Sequence, residues 1–310
     1  MLRRNKNLRI EWKPIPEIEE EWNGIFKLTE EKAPFLSFGW FYSLSKYLLK
    51  KDFNVMVLYD ESEIVGIIPG EIKNRKLSLI GDERVTDLNG ILFNPKYSED
   101  VINTLSSFIK EKELRFELYP ILPESPLMKI FPNESKKELV NIIPILKLPR
   151  SWEEYLENLP SKERHEVRRK LRKVEGLKIR SLKGEEIKEL FIMMESFPQK
   201  REFLTKNMKK FFLNLALYLE GEKLLRLKAS FYKREILAIL FCFQSENTIY
   251  AFNSAYNTKF YKLSPGFVSF AMDIKEAIEE GFTYYNFLRG EERFKFDLGA
   301  RKTYTWKIKR

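Results

Sequence analysis

The residues with the most chemical promise lie in the last third of the chain. Lys262-Leu263-Ser264-Pro265-Gly266-Phe267 follows the β-rich run 248–254, and serine then proline is a helix start signal. The spacing predicts a strand feeding a helix whose first amide N–H groups point outward. A glycine among them lets a phosphate approach the backbone closely. Ser264, Gly266 and Phe267 are therefore candidate cofactor-binding residues, although on spacing alone the motif reads first as plain helix capping.

A second chemically loaded segment is 161–173, with seven basic residues against two acidic ones. Counterion release makes such a helix a surface for nucleic acid or polyphosphate, with Arg164, His165 and Arg168 as candidate ligand contacts. The alternative is a solvated helix anchored only by Val167 and Leu171. His165 is the sole histidine, and so many neighbouring cations disfavour its proton, which points to packing or ligand contact rather than base chemistry.

Composition removes other chemistries. One cysteine, Cys242, inside the apolar run 236–243, excludes an internal disulfide and reads as a buried small hydrophobe; one histidine excludes a zincin or multi-histidine metal centre. A formal net charge of +10 favours anionic partners. The first six residues are basic, but Arg9 and Glu11 interrupt what a secretory signal needs as an apolar stretch, so a cytoplasmic protein is expected. No apolar run approaches the roughly 20 residues that cross a bilayer, which limits membrane contact to the periphery.

These residues must be held by two successive copies of one plan. At 310 residues the chain is long enough for two compact halves, expected at 1–149 and 150–310. In the first, helices over 17–31 and 41–50 precede β-runs at 55–59 and 64–68 around a polar turn, then a helix over 99–110 and a strand from Arg115. In the second, helices over 185–196 and 205–219 precede β-runs at 224–231 and 236–243, then a helix over 265–280 and a strand from Thr283. Ile236 follows Ile64 by 172 residues and Thr283 follows Arg115 by 168, so the repeat is architectural. The expected class is α/β, with mixed sheets flanked by helices and a late parallel crossover. Pro149 is expected to end a strand and Ser151 to cap the next helix.

The run 261–266, the helix ending Ala277-Ile278-Glu279-Glu280-Gly281, and Tyr285-Asn286-Phe287-Leu288-Arg289-Gly290-Glu291-Glu292-Arg293-Phe294-Lys295 resemble the C-terminal signature of a GNAT-type acyltransferase family. It is the kind labelled cellulose or exopolysaccharide biosynthesis acetyltransferases and is related to the FemABX peptidyltransferases. Phe38-Gly39-Trp40, Gly66-Ile67-Ile68-Pro69 and Leu159-Pro160-Ser161-Lys162 fit the same family.

The resemblance implies tandem GNAT-like (acyl-CoA N-acyltransferase) units. It also implies acetyl-CoA or another acyl-CoA as co-substrate at the Ser264 turn, no metal, and acyl transfer to an amine or hydroxyl of a saccharide or envelope precursor. The chain departs from the usual glycine-rich pyrophosphate loop, since only Gly266 stands where several glycines would be. FemABX relatives use aminoacyl-tRNA, so tRNA is the alternative donor, and a non-catalytic polyanion-binding protein is a third reading. Acyl transfer needs a proton acceptor for the nucleophile and a proton donor for the leaving group. Candidates are Asp87 on the acceptor side, Tyr256 and Asn253 at the end of the 248–254 strand, and Glu292 with Lys295 beyond the last strand. Each also has a structural reading: an Asx turn for Asp87, packing for Tyr256 and Asn253, a surface pair for the last two. The first half lacks a Ser-Pro-Gly equivalent and is assigned to scaffold and acceptor binding.

Overall fold

The computed structural model describes residues 8–30, 32–131 and 134–310. The basic N-terminal hexad and Glu31 lie outside them. The chain forms two compact units, one of 1–141 with 304–310 and the other of 142–303.

The first unit begins with β1 (Arg9–Pro14), α1 (Glu19–Leu28) and α2 (Phe38–Ser43), the last running into a π-helical turn over Leu44–Leu49. The expected helices at 17–31 and 41–50 are thus shorter or shifted. Thr29 leaves the helix to bond with Phe93, and Ser37 caps α2 three residues before the expected start. The hairpin β2 (Asn54–Asp60) and β3 (Glu63–Ile68) follows. Pro69 cannot donate to a ladder, and past it the chain joins a different sheet as β4 (Gly70–Lys73), paired with β5 (Lys76–Leu79). A short β6 (Leu92–Phe93) covers β3, giving the order β1-β2-β3-β6. Helix α3 (Ser98–Glu111) then returns the chain to β7 (Arg115–Ile121), parallel to β5. Val101, Leu105 and Ile109 of α3 pack with Met56, Leu58, Phe116 and Leu118 in this unit's core.

Strand β8 (Lys136–Lys147) is the one expected before Pro149, and the division between units falls inside it. Pro149 follows its end, and the Ser151 hydroxyl accepts from Glu154 N at 3.1 Å to cap α4 (Trp152–Asn158), as the sequence predicts. The second unit continues with α5 (Ser161–Arg172), β9 (Lys178–Ser181), α6 (Lys188–Met194), α7 (Pro198–Phe203) and α8 (Lys206–Gly221). The hairpin β10 (Leu225–Tyr232) and β11 (Glu235–Gln244), then β12 (Thr248–Tyr256), complete an antiparallel set. Helix α9 (Pro265–Glu279) crosses to β13 (Tyr284–Asn286), parallel to β12. Helix α10 (Arg293–Asp297) precedes β14 (Arg301–Lys309), whose last residues pair with β7 in the first unit.

The hairpins of the two units correspond residue for residue. Leu58 pairs with Gly66 and Tyr59 with Ile64, so Val65 is an extra, bulged residue; Ser230 pairs with Ala238 and Phe231 with Ile236, so Leu237 is bulged. Each residue lies 172 positions after its counterpart. With the helix and parallel strand that follow in both, this is the tandem mixed α/β plan expected from the order of elements.

Candidate active site at the splayed end of strand β12

Helix α9 is positioned by its own sequence. Phe267, Phe270, Ala271, Ile274, Ala277 and Ile278 are buried in the unit's core, each large member contributing about 1.5–3 kcal/mol over exposure. Gly281 takes φ +87° and stops the helix, a conformation that favours glycine. A buried ionic lattice, not anticipated from the sequence, also holds α9. Arg226 Nε donates to Asp273 Oδ1 at 2.9 Å, Lys228 reaches Glu276 at 2.9 Å, and the Tyr285 hydroxyl donates to Asp273 Oδ2 at 2.7 Å. The arginine side chain is 2% exposed and the aspartate 0%, so each depends on the other. Burial, with the Asp273 charge second, pushes the Tyr285 hydroxyl up, and burial does the same to the Cys242 thiol beside it. Both stay protonated at neutral pH, and Cys242 is the buried hydrophobe expected.

The start of α9 differs from the expected cap. Ser264 stands at the N-cap position but adopts φ +54°, and its side chain caps no amide. Its backbone serves instead: Ser264 N donates to Tyr261 O and Val268 N donates to Ser264 O, both at 3.1 Å. The amides of Gly266 and Phe267 precede that first helical bond. A Cβ on Gly266 would meet only ordinary contact, Tyr256 Cδ1 at 3.9 Å, so there is space at the backbone. Lys170 of α5 sits 3.7 Å from the centroid of Phe267, which ties the basic helix to this helix start.

Strand β12 is the opposite wall. It pairs with β13 only from Thr248 to Tyr250. Past Asn286 the chain turns away: Leu288 takes φ +54°, and Phe287 N and Gly290 N donate to Pro144 O and Ile142 O of β8. Strand β12 continues to Tyr256 paired only with β11, with Phe252 bulged opposite Phe241 and Cys242. Asn257 N donates to Leu237 O, so by antiparallel alternation Ala255 and Asn253 face β11 while the backbone polar groups of Ser254 face the splay. Side chains cover both. Asn253 Oδ1 accepts from Ser254 N at 2.9 Å, and Lys200 Nζ donates to Ser254 O.

Lys200 was not anticipated. It lies on α7, a short helix opened by Pro198 between the two predicted helices, where no periodicity singled it out. Burial pulls its ammonium below the usual lysine range, opposed by the charge of Glu292. Phe197, just before α7, stacks edge-on against Tyr256 at 4.9 Å between centroids.

Glu292 is exposed and ion-pairs with Lys295 at 2.9 Å. Lys295 is buried, and its ammonium also donates to Arg289 O at 2.9 Å and Gly290 O at 3.4 Å. Three acceptors inside one loop satisfy its three donors, so it shapes the 289–292 turn rather than facing a cofactor. On α5, Arg164 is half-buried, whereas His165 and Arg168 are exposed, so of packing and ligand contact only the second stays open to His165. Glu166 is held at about 2 by the hydrogen bond from Arg169. The second unit thus gathers Tyr256, Asn253, Gly266, Phe267 and Glu292 around the splay, with Lys200 added. Asp87 belongs to the first unit, buried with Thr86 and Asn89 in a turn where Asn89 Nδ2 donates to Ile80 O at 3.0 Å.

Comparison with known proteins agrees with this geometry. Residues 161–296 match the model of an acetyltransferase (GNAT) domain. Among solved structures, FemX resembles the chain with a TM-score of 0.68 at 12% identity, covering 94% of this chain and 95% of its own. L-PGS from Bacillus licheniformis gives 0.62 at 12% identity, covering 94% and 91%, and a conserved protein of unknown function from Bacteroides thetaiotaomicron gives 0.61 at 14%, covering 97% and 99%. At these identities the likeness is one of fold. No curated protein matches the chain in sequence. Residues 161–296, the part of the chain that matches the acetyltransferase (GNAT) domain model, carry the splayed strand, the α9 start and Lys200.

Proposed function

We propose that this protein moves an acyl group, acetyl in the first instance, from acyl-CoA to an amine or hydroxyl of a cell-envelope or polysaccharide precursor. The observation that carries the reading is the open backbone at Gly266 beside Tyr256, where the first amides of α9 and the splayed edge of β12 meet. A diphosphate fits such amides, and Gly266 leaves room for it. The donor supplies an activated thioester carbonyl. In this reading Tyr256 returns a proton to the departing thiolate, and Glu292 takes one from the attacking nucleophile. Phe267, Ser264 and Asn253 shape the donor side, and Lys295 holds the turn that presents Glu292. Arg164, His165 and Arg168 line the substrate face of α5, and Asp87 with the first unit serves the acceptor side. The envelope acceptor follows the family resemblance, the division into halves follows the repeated order of elements, and a cytoplasmic site of action is part of the same reading. Among the described residues, no helix is long and apolar enough to cross a membrane.

A second reading, aminoacyl-tRNA as donor, is favoured by the basic helix α5 next to the α9 start and by the fold shared with FemX. Calorimetric titration with acetyl-CoA, CoA and aminoacyl-tRNA separates the two. Micromolar acetyl-CoA binding supports the first; no CoA binding at millimolar concentration with salt-sensitive tRNA binding transfers the function to the second.

A further inference from the structure

Lysines are abundant in this chain, but Lys200 stands apart. Its amine is neither solvated at the surface nor locked in an ion pair of the core. It lies against the Ser254 carbonyl, on the side of β12 that β13 would have paired, and the charge of Glu292, itself ion-paired with Lys295, acts on it from beyond ion-pair distance. Lys295, a buried lysine at the splay where Lys200 is half-buried, has its donors taken by the 289–292 turn, and Lys170 stands over Phe267 near Glu166. A backbone carbonyl in contact and a carboxylate charge nearby are the partners that an attacking primary amine needs: one orients its N–H, the other draws off a proton.

We propose that Lys200 is a self-acylation site, an acceptor built into the chain, which takes an acyl group from the thioester donor onto its own side-chain nitrogen. The inference rests on the acyl-CoA reading of the α9 start. The neutral Nζ attacks the acyl carbon; the N–C bond forms as the C–S bond breaks. The proton lost by Nζ passes to Glu292 and leaves on the thiol, so charge and atoms balance without a further reactant. Burial favours the neutral amine that this step needs. The product amide keeps one N–H for the Ser254 carbonyl but no longer carries a cation opposite Glu292. The modification therefore fills the splay with a neutral side chain and limits access of other amines to it.

The purified chain is incubated with acetyl-CoA carrying an isotope-labelled acetyl group, digested, and the peptides weighed, with acetyl-CoA binding followed by calorimetry on the same sample. Labelled acetyl at Lys200 is expected to accumulate at least about tenfold faster than at the exposed Lys233 and Lys262, and Glu292→Gln should slow it by about 10²-fold. Lys200→Arg should keep acetyl-CoA binding and show no label at that peptide. Acetyl-CoA binding with Lys200 unlabelled, or labelled no faster than the exposed lysines, overturns the self-acylation and leaves the acyl-CoA reading standing. Absence of acetyl-CoA binding overturns both.

Discussion

The ring of Tyr256 and the backbone of Gly266 face one another across the start of α9, with 3.9 Å between Cδ1 and the position a Cβ on Gly266 would take. That distance is ordinary van der Waals contact, so a side chain at this glycine fits the protein and obstructs whatever uses the space. Gly266→Val should change folding stability by less than about 1 kcal/mol, because valine is no worse than glycine inside a helix. Acetyl-CoA affinity should fall by more than tenfold. Calorimetry with melting in parallel checks this; equal affinity in the two proteins rejects a donor site at the α9 start.

The basic helix α5 buries Val167 and packs Leu171 on the core, while Arg168 and Arg172 face solvent and Arg164 is half-buried. Replacing Arg164, Arg168 and Arg172 by Gln should therefore leave the melting temperature nearly unchanged. Affinity for an anionic donor should drop at low salt, and the variant's binding should depend less on salt than the wild type's. Unchanged affinity for acetyl-CoA and for tRNA alike would mark α5 as a solvated face.

Arg226 and Asp273 are a buried pair whose separation leaves a charge without its partner. Asp273→Asn should cost about 3 kcal/mol in urea unfolding, whereas Arg226→Met combined with Asp273→Leu should recover much of that loss. The same single variant should loosen α9 and lower donor affinity, since the pair anchors the helix whose start forms the site. A stability loss below about 0.5 kcal/mol for Asp273→Asn would show that the lattice contributes little.

In the first unit, burial pushes the Asp82 carboxyl up, but the side-chain and backbone hydrogen bonds from Arg84 outweigh it and hold the group below the usual carboxylate range. A carboxyl lowered by folding adds stability that is fully present above its ordinary value of about 4 and is lost as pH falls through the lower, folded value. Asp82→Asn should therefore destabilise the unit at pH 7 by up to about 1 kcal/mol and lose its effect in strong acid. Denaturation curves from pH 7 downward test the sign; a difference that grows on acidification contradicts it.

The sequence by itself determined what depends on near neighbours. Helix α9 was legible from its apolar stripe, Pro265 and Gly281, and α4 from Ser151, because capping and amphipathic periodicity act within one or two turns. The paired hairpins were legible for the same reason, although the shared bulges at Val65 and Leu237 appear only when the strands pair. Tertiary structure decided the rest. Ser264 sits at its expected position in a left-handed conformation, because Tyr261 and Val268 hold its backbone. Whether Lys295 faces a ligand or clamps its own turn depends on where the carbonyls of Arg289 and Gly290 point, which no spacing encodes. Lys200 meets Ser254 from 54 positions away, and Arg226 meets Asp273 from 47. Local pattern cannot register such contacts, because they exist only once α7 packs beside β12 and α9 crosses the sheet, and the chemistry of the site is made of them.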